Sequence, residues 1–185
     1  NGDSISPDIA GRMQRALAHR GPDHRGLYAE PGLVLGINRL SIVDLTTGNQ
    51  PIFNEDRSLV IVYNGELYNH SDIREDLIRR GHSFYTASDT ETVLHAFEEF
   101  DAGCLDKFNG MFAFAVWDIG QQRLFLARDR LGIKPLYITR TEEGFAFASE
   151  ARGLLNVFAA PRPDWTAINR YFSFGYVPSP DSPFE

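Results

Sequence analysis

Asn64 and Gly65 follow directly on the apolar run Leu59-Val60-Ile61-Val62-Tyr63, so a buried strand would present a side-chain amide beside a glycine N–H at its rigid end. Such a pair of donors is suited to an oxyanion, and glycine lets the backbone approach a ligand closely. On local pattern the same residues also read as a simple Asn-Gly turn. Arg39, in Asn-Arg-Leu-Ser-Ile-Val-Asp, is a charge within a strand-like run. Its guanidinium would clamp a carboxylate with two parallel hydrogen bonds, or form an ordinary surface salt bridge. Asp89 stands at the start of a helix, where a carboxylate also serves the macrodipole of the first turn.

Other chemistries find less support. The histidines at 19, 24, 70, 82 and 95 show no His-x-x-x-His spacing, and no Cys-x-x-Cys occurs, so no metal site is expected. Gly-x-Ser-x-Gly is absent, as are the phosphate loop and the dinucleotide fingerprint. Cys104 has no base nearby in sequence to make it a nucleophile and reads as a buried structural cysteine.

The elements that must position these residues come from a chain of 185 residues, long enough for one sizeable domain. Lys and Arg number 18 against 25 Asp and Glu, and the net charge of −7 argues against a nucleic-acid binder. No apolar run approaches the ~20 residues that span a bilayer, and no signal peptide opens the chain, so a cytoplasmic protein is expected. Residues 1–5 read as a turn, and Ser6-Pro7 as the cap and first turn of a helix closed by Arg20-Gly21-Pro22-Asp23. Strands are expected at 33–37 and 59–63, and a helix over about 71–80 that stops at Gly81. Ser88-Asp89-Thr90-Glu91 is a capping box that opens a further helix.

The runs 111–117 and 123–127 are joined by five residues, too few for a parallel crossover, so they form an antiparallel hairpin. Both strands are apolar on both faces, which predicts cover by another sheet on one side and by helices on the other. The fold class this favours is a layered α+β sandwich. Prolines at 161, 163, 178, 180 and 183 punctuate the tail around a short helical stretch at Trp165–Phe172. Two units are therefore read, a domain over 1–155 and a linker over 156–185 that enters a second domain.

Eight segments occur in a familiar order. They are His-Arg-Gly-Pro-Asp (19–23), Arg-Leu-Ser-Ile-Val-Asp (39–44), Gly-Asn-Gln-Pro (48–51), Asn-Gly-Glu-Leu-Tyr-Asn (64–69), Ser-Asp-Thr-Glu (88–91), Asn-Gly-Met-Phe-Ala-Phe (109–114), Ala-Arg-Asp-Arg-Leu-Gly-Ile-Lys-Pro-Leu-Tyr (127–137) and Ala-Ser-Glu (148–150). The series resembles the glutaminase domain of glutamine-hydrolysing asparagine synthetases, which are class II amidotransferases. The resemblance implies the four-layer αββα sandwich of N-terminal-nucleophile hydrolases and a glutamine substrate. It further implies an oxyanion hole from the Asn64 side chain and the Gly65 N–H. Arg39 would hold the substrate α-carboxylate, Glu66 and Asp89 its α-ammonium, and the backbone of Leu40, Ser41, Ile42 and Val43 would line the pocket. A zwitterion needs opposite charges at its two ends, because burying either one unpaired costs several kcal/mol.

In this family the nucleophile is a cysteine at the mature N-terminus, whose free amine acts as its base. That cysteine would begin a short strand ahead of Asn1, and the sequence as it stands is expected not to form the thioester. The ATP-binding Ser-Gly-Gly-x-Asp-Ser loop of the family's synthetase half does not occur here. ATP and Mg²⁺ are thus expected to belong to that half, with no cofactor in this chain. The implied partners are glutamine, a C-terminal synthetase domain of the same chain and a second copy in a homodimer. A catalytically silent domain that only binds glutamine or scaffolds a synthetase is the alternative.

Overall fold

The computed structural model describes residues 7–39, 48–141, 144–155, 157, 162–178 and 181–184. The expected turn at 1–5, the Ser6 cap and the pocket segment Leu40–Val43 lie outside them. In chain order the elements are α1 (Pro7–Ala16), β1 (His24–Glu30), β2 (Leu33–Arg39), β3 (Ile52–Phe53), β4 (Leu59–Leu67), α2 (His70–Arg79) and α3 (Asp89–Phe100). A 3₁₀ stretch (Asp101–Lys107) leads to β5 (Gly110–Asp118), β6 (Arg123–Arg128), β7 (Tyr137–Thr141), β8 (Gly144–Ala148), α4 (Ala151–Leu155) and α5 (Trp165–Phe174).

All the sheets are antiparallel: a central β3-β4-β5-β6 sheet and two ribbons, β1-β2 and β7-β8. The expected hairpin at 111–127 is β5 and β6, paired from Ala113↔Arg128 to Asp118↔Arg123. Strand β4 explains why both faces are apolar. Leu59, Ile61, Tyr63 and Leu67 turn toward a cluster with Leu77 of α2 and Val93, Leu94 and Phe97 of α3. Val60 and Val62 turn the other way, onto Leu33 and Leu35 of β2 and Phe147 of β8. The side-chain period of two thus divides one strand between two cores. Helix α1 closes the outer face of the ribbon, where Gln14 donates to the carbonyls of Gly26 (2.8 Å) and Ile37 (3.1 Å). The result is the layered helix–sheet–sheet–helix sandwich the sequence predicts.

Two expectations change in detail. Asn64, Gly65 and Glu66 are interior residues of β4, and pairing continues through Leu67↔Gly110. The turn reading of Asn-Gly is therefore wrong. The capping box is half formed: Ser88 Oγ accepts from Thr90 N (3.2 Å), but the Glu91 carboxylate reaches past it to Tyr85 N (2.8 Å) and Thr86 N (2.7 Å).

Several motifs of the recognised series build scaffold. Arg20 (2.9 Å) and His19 (3.0 Å) meet Glu150, which joins the first motif to the last. Asp129 is buried and accepts from Phe112 N (3.2 Å), Ile133 N (2.9 Å) and Lys134 N (2.9 Å), fixing the loop after β6. Burial works against its charge, and these backbone donors outweigh it, holding the carboxyl below the usual carboxylate range. No helix among the described residues is long and apolar enough to cross a membrane.

Candidate functional site at the exit of β4

Beyond the short β3, no strand among the described residues lies along the edge of β4, and side chains take the place of one. Tyr63 N donates to Gln50 Oε1 (2.6 Å), and Gln50 Nε2 donates to Tyr63 O (3.0 Å) and to Thr90 Oγ1 (3.3 Å). The Gln50 amide thus does for Tyr63 what a peptide unit of a neighbouring strand would do. Four residues on, Leu67 N donates to Asp89 Oδ2 (2.9 Å), and the Tyr63 hydroxyl donates to the same oxygen (3.1 Å). Burial, then the Asp89 charge, push the Tyr63 phenol far above its ordinary range, so it stays a donor.

These contacts fix the direction of the N–H between them. Backbone groups alternate along a strand, so residues 63, 65 and 67 face the same edge. Opposite Gly65, Phe112 turns its N–H to Asp129 Oδ2 (3.2 Å) and its carbonyl to Asp129 N (2.8 Å). Gly65 and Phe112 therefore form a non-hydrogen-bonded pair. The Gly65 N–H points outward from the open edge, and no described residue accepts from it. A Cβ at residue 65 would lie 2.5 Å from the Met111 carbonyl and 2.8 Å from the Tyr63 ring, so only glycine fits.

The Asn64 amide is half-buried and uncommitted, with no hydrogen bond to a described residue. Its side chain lies on the face opposite Tyr63 and lines a cavity of about 600 Å³ between α1, the β1-β2 ribbon, β4-β5 and β8. The walls are chiefly apolar (Met13, Val62, Ala115, Phe147), with Asn64 and Asn38 among the polar groups.

Glu66 is exposed and makes no hydrogen bond or ion pair with a described residue, so its carboxylate is open to a ligand. Asp89 is half-buried and spends Oδ2 on holding the strand exit. Arg39, the last residue of β2, donates from Nη1 to Asn49 Oδ1 (3.1 Å). Asn49 precedes Gln50, so the guanidinium is tied through one peptide unit to the clamp on Tyr63. The structure thus gathers Asn64, Gly65, Glu66 and Asp89 at one strand exit and links Arg39 to it. Leu40, Ser41, Ile42 and Val43 lie outside the described residues. Sequence reasoning assigned no role to Gln50, Asn49 or Tyr63, although Gly-Asn-Gln-Pro was among the quoted segments.

Cys104 is fully buried in the cluster beneath α3, on the face of the sheet opposite the Asn64 side chain. Burial, aided by the Asp101 charge, pushes its thiol up to about 12. In the folded protein at pH 8, iodoacetamide should leave Cys104 unmodified, whereas in denaturant the thiol should react completely. Rapid alkylation of the native thiol would refute its burial.

The model of the "Glutamine amidotransferase domain" family matches residues 2–185. Asparagine synthetase [glutamine-hydrolyzing] 3 of Bacillus subtilis is 42% identical over 168 residues, 89% of this chain and 27% of its own length. Asparagine synthetase [glutamine-hydrolyzing] 3 of Arabidopsis thaliana is 43% identical over 143 residues, 77% of this chain and 24% of its own. The chain therefore spans about a quarter of the length of these curated relatives. Among solved structures, an allosteric regulatory enzyme of purine biosynthesis matches with a TM-score of 0.74 at 21% identity, over 84% of this chain and 42% of that one. Glutamine phosphoribosylpyrophosphate amidotransferase from B. subtilis matches with a TM-score of 0.67 at 22% identity, with the same coverage. These two likenesses establish the sandwich fold. Sequence supplies the kinship: a single family match runs through the whole sandwich and beyond it, and the chain belongs to the glutamine amidotransferase family.

Proposed function

We propose that the exit of β4 binds L-glutamine and stabilises the oxyanion formed when its side-chain amide is attacked, and that this chain is the glutaminase part of an asparagine synthetase. The observation that carries the reading is the Gly65 N–H on an otherwise closed strand edge, next to the uncommitted Asn64 amide. A tetrahedral oxyanion needs two preorganised donors that no protein group has already taken. Arg39 pairs with the substrate α-carboxylate, and Glu66 with the free oxygen of Asp89 receives the α-ammonium. The attacking thiolate comes from a cysteine other than Cys104, and water cleaves the glutamyl thioester after ammonia has left.

The remaining roles follow from the same reading. Residues 1–155 form the glutaminase domain, and 156–185 lead into a synthetase domain that uses ATP and Mg²⁺ to amidate aspartate. The exposed aromatics of α5 and just after it, Trp165, Phe172, Phe174 and Tyr176, form an apolar surface suited to packing against further protein, which supports this reading. No residue of this chain is assigned to ATP or the metal it carries. The parent enzyme is cytoplasmic and pairs as a homodimer.

The test is ammonia release from L-glutamine by the full-length encoded protein. Release that saturates with glutamine and is absent with D-glutamine is the expected result. Glutamine binding in calorimetry without ammonia release would overturn the enzymatic reading.

A further inference from the structure

On the helix side of the central sheet, far from the Asn64 face, four side chains from three segments converge. Glu55 comes from the turn after β3, His82 from the link after α2, and His95 and Glu98 from α3. Their ligand atoms all lie within 4.8 Å of one another. His95 Nδ1 is 3.0 Å from Glu98 Oε2 and 3.6 Å from Glu55 Oε2, and His82 Nδ1 is 3.5 Å from Glu98 Oε2. In a tetrahedron with bonds of ~2.1 Å to nitrogen and oxygen, the ligand atoms stand roughly 3.4 Å apart. Two of the required separations already match that figure, and the third is a His95–Glu98 hydrogen bond whose proton an ion would displace.

What surrounds the four groups points the same way. The other carboxylate oxygen of Glu55 is held by Ser83 N (2.7 Å), and that of Glu98 by Asn54 Nδ2 (2.9 Å). The other nitrogen of His82 faces Glu99 Oε2 (3.2 Å). His95 is completely buried, and its Nε2 has no hydrogen-bond partner but lies 3.8 Å from Glu91 Oε1. Glu91 is itself fully buried and fixed by Tyr85 N, Thr86 N and the Thr86 hydroxyl. Each of the four side chains thus turns its outer polar atom to a neighbouring group and presents the inner atom to one point. A carboxylate hydrogen-bonded behind His82, another 3.8 Å behind His95, and donors behind both carboxylates resemble the surroundings that orient metal ligands.

We propose that Glu55, His82, His95 and Glu98 bind one divalent ion of the zinc class. The mixed nitrogen and oxygen donor set suits zinc over calcium or magnesium, which take oxygen alone. All four positions are filled by protein, so the site is structural: it ties the β3–β4 turn and the link after α2 to α3. Glu55 and Glu98 remain partly exposed and give the ion its way in.

The full-length protein, stripped with chelator, is titrated with ZnCl₂ in calorimetry, and its bound metal is counted after gel filtration. One ion per chain should disappear in both E55Q and H82Q, with affinity lowered at least tenfold. E99Q, which removes the carboxylate behind His82 together with its surface ion pair to Arg80, should weaken binding about tenfold. H19Q serves as the control for adventitious surface histidines and should change nothing. Co²⁺ in place of zinc should give tetrahedral ligand-field bands without thiolate charge transfer, lost in H82Q. The proposal is overturned if the wild-type protein binds no zinc, or if E55Q and H82Q retain wild-type stoichiometry and affinity. Glutaminase activity is not the readout, so its outcome leaves this test intact.

Discussion

Asn64→Ala in the full-length protein should lower kcat for glutamine hydrolysis about 10²–10³-fold, roughly 2.7–4 kcal/mol of transition-state stabilisation. KM should change little, because an amide carbonyl accepts weakly in the ground state and strongly only as its oxygen takes on charge. The substitution is clean: the Asn64 side chain makes no hydrogen bond to a described residue, and its backbone belongs to the β4–β5 ladder whatever the side chain. Asn64→Asp is the sharper companion. It keeps the shape, places a negative charge where the oxyanion forms, and should be at least as damaging as alanine. Steady-state ammonia release, with unchanged thermal unfolding as the control, checks both. A kcat within fivefold of wild type for the alanine variant would remove the side chain from the oxyanion hole and leave Gly65 without its partner donor.

The second large effect belongs to Arg39 and should appear in a different constant. Arg39→Ala removes two charge-assisted hydrogen bonds to the substrate carboxylate, each ~1.5–3 kcal/mol when formed. After allowance for water taking over part of that role at a half-exposed site, KM should rise about 10²-fold with kcat nearly unchanged. An interaction present equally in the ground and transition states produces that split. Arg39→Lys should recover only a small part of the loss, since an ammonium offers one point charge and no planar fork. A KM within threefold of wild type for Arg39→Ala would return Arg39 to the surface salt-bridge reading, with Asn49 its neutral neighbour at 3.1 Å.

What the sequence made legible follows from which signals are local. The β5–β6 hairpin was readable because two long apolar runs were separated by a link too short for any other connection. The two-sided burial of β5 and β6 was readable from the unbroken apolarity of the same runs, and it pointed to the layered architecture. Strand β1 was not foreseen: in His24-Arg25-Gly26-Leu27-Tyr28-Ala29-Glu30 the one buried residue is Gly26, which has no side chain to signal it. Its place is set instead by the ladder to β2. Gly26 also sits against the Gln50 carbonyl so closely that any Cβ would meet that oxygen.

At the site, residue types were legible and geometry was not. Asn64 and Gly65 were chosen for their donors, but the reason those donors are free lies at Gln50 and Asp89, thirteen or more residues away. No spacing rule links a glutamine to the backbone of a residue so distant. The His82–His95 pair escaped for a related reason. A search for histidines on adjacent helical turns finds ligands on one element, whereas these come from a link and a helix, with a carboxylate from a turn.

The closure of the β4 edge has a consequence for solubility. A bare strand edge offers several consecutive donors and acceptors, and a second chain can zip along them into an aggregate. Here Gln50 occupies position 63 and Asp89 takes the N–H of position 67, so an incoming strand would find the Gly65 donor flanked by two donors already taken. A single unmatched hydrogen is too little to recruit a polypeptide, yet enough for one oxygen of a small molecule. Replacing Gln50 by alanine would therefore make the protein sticky before it made it merely slow.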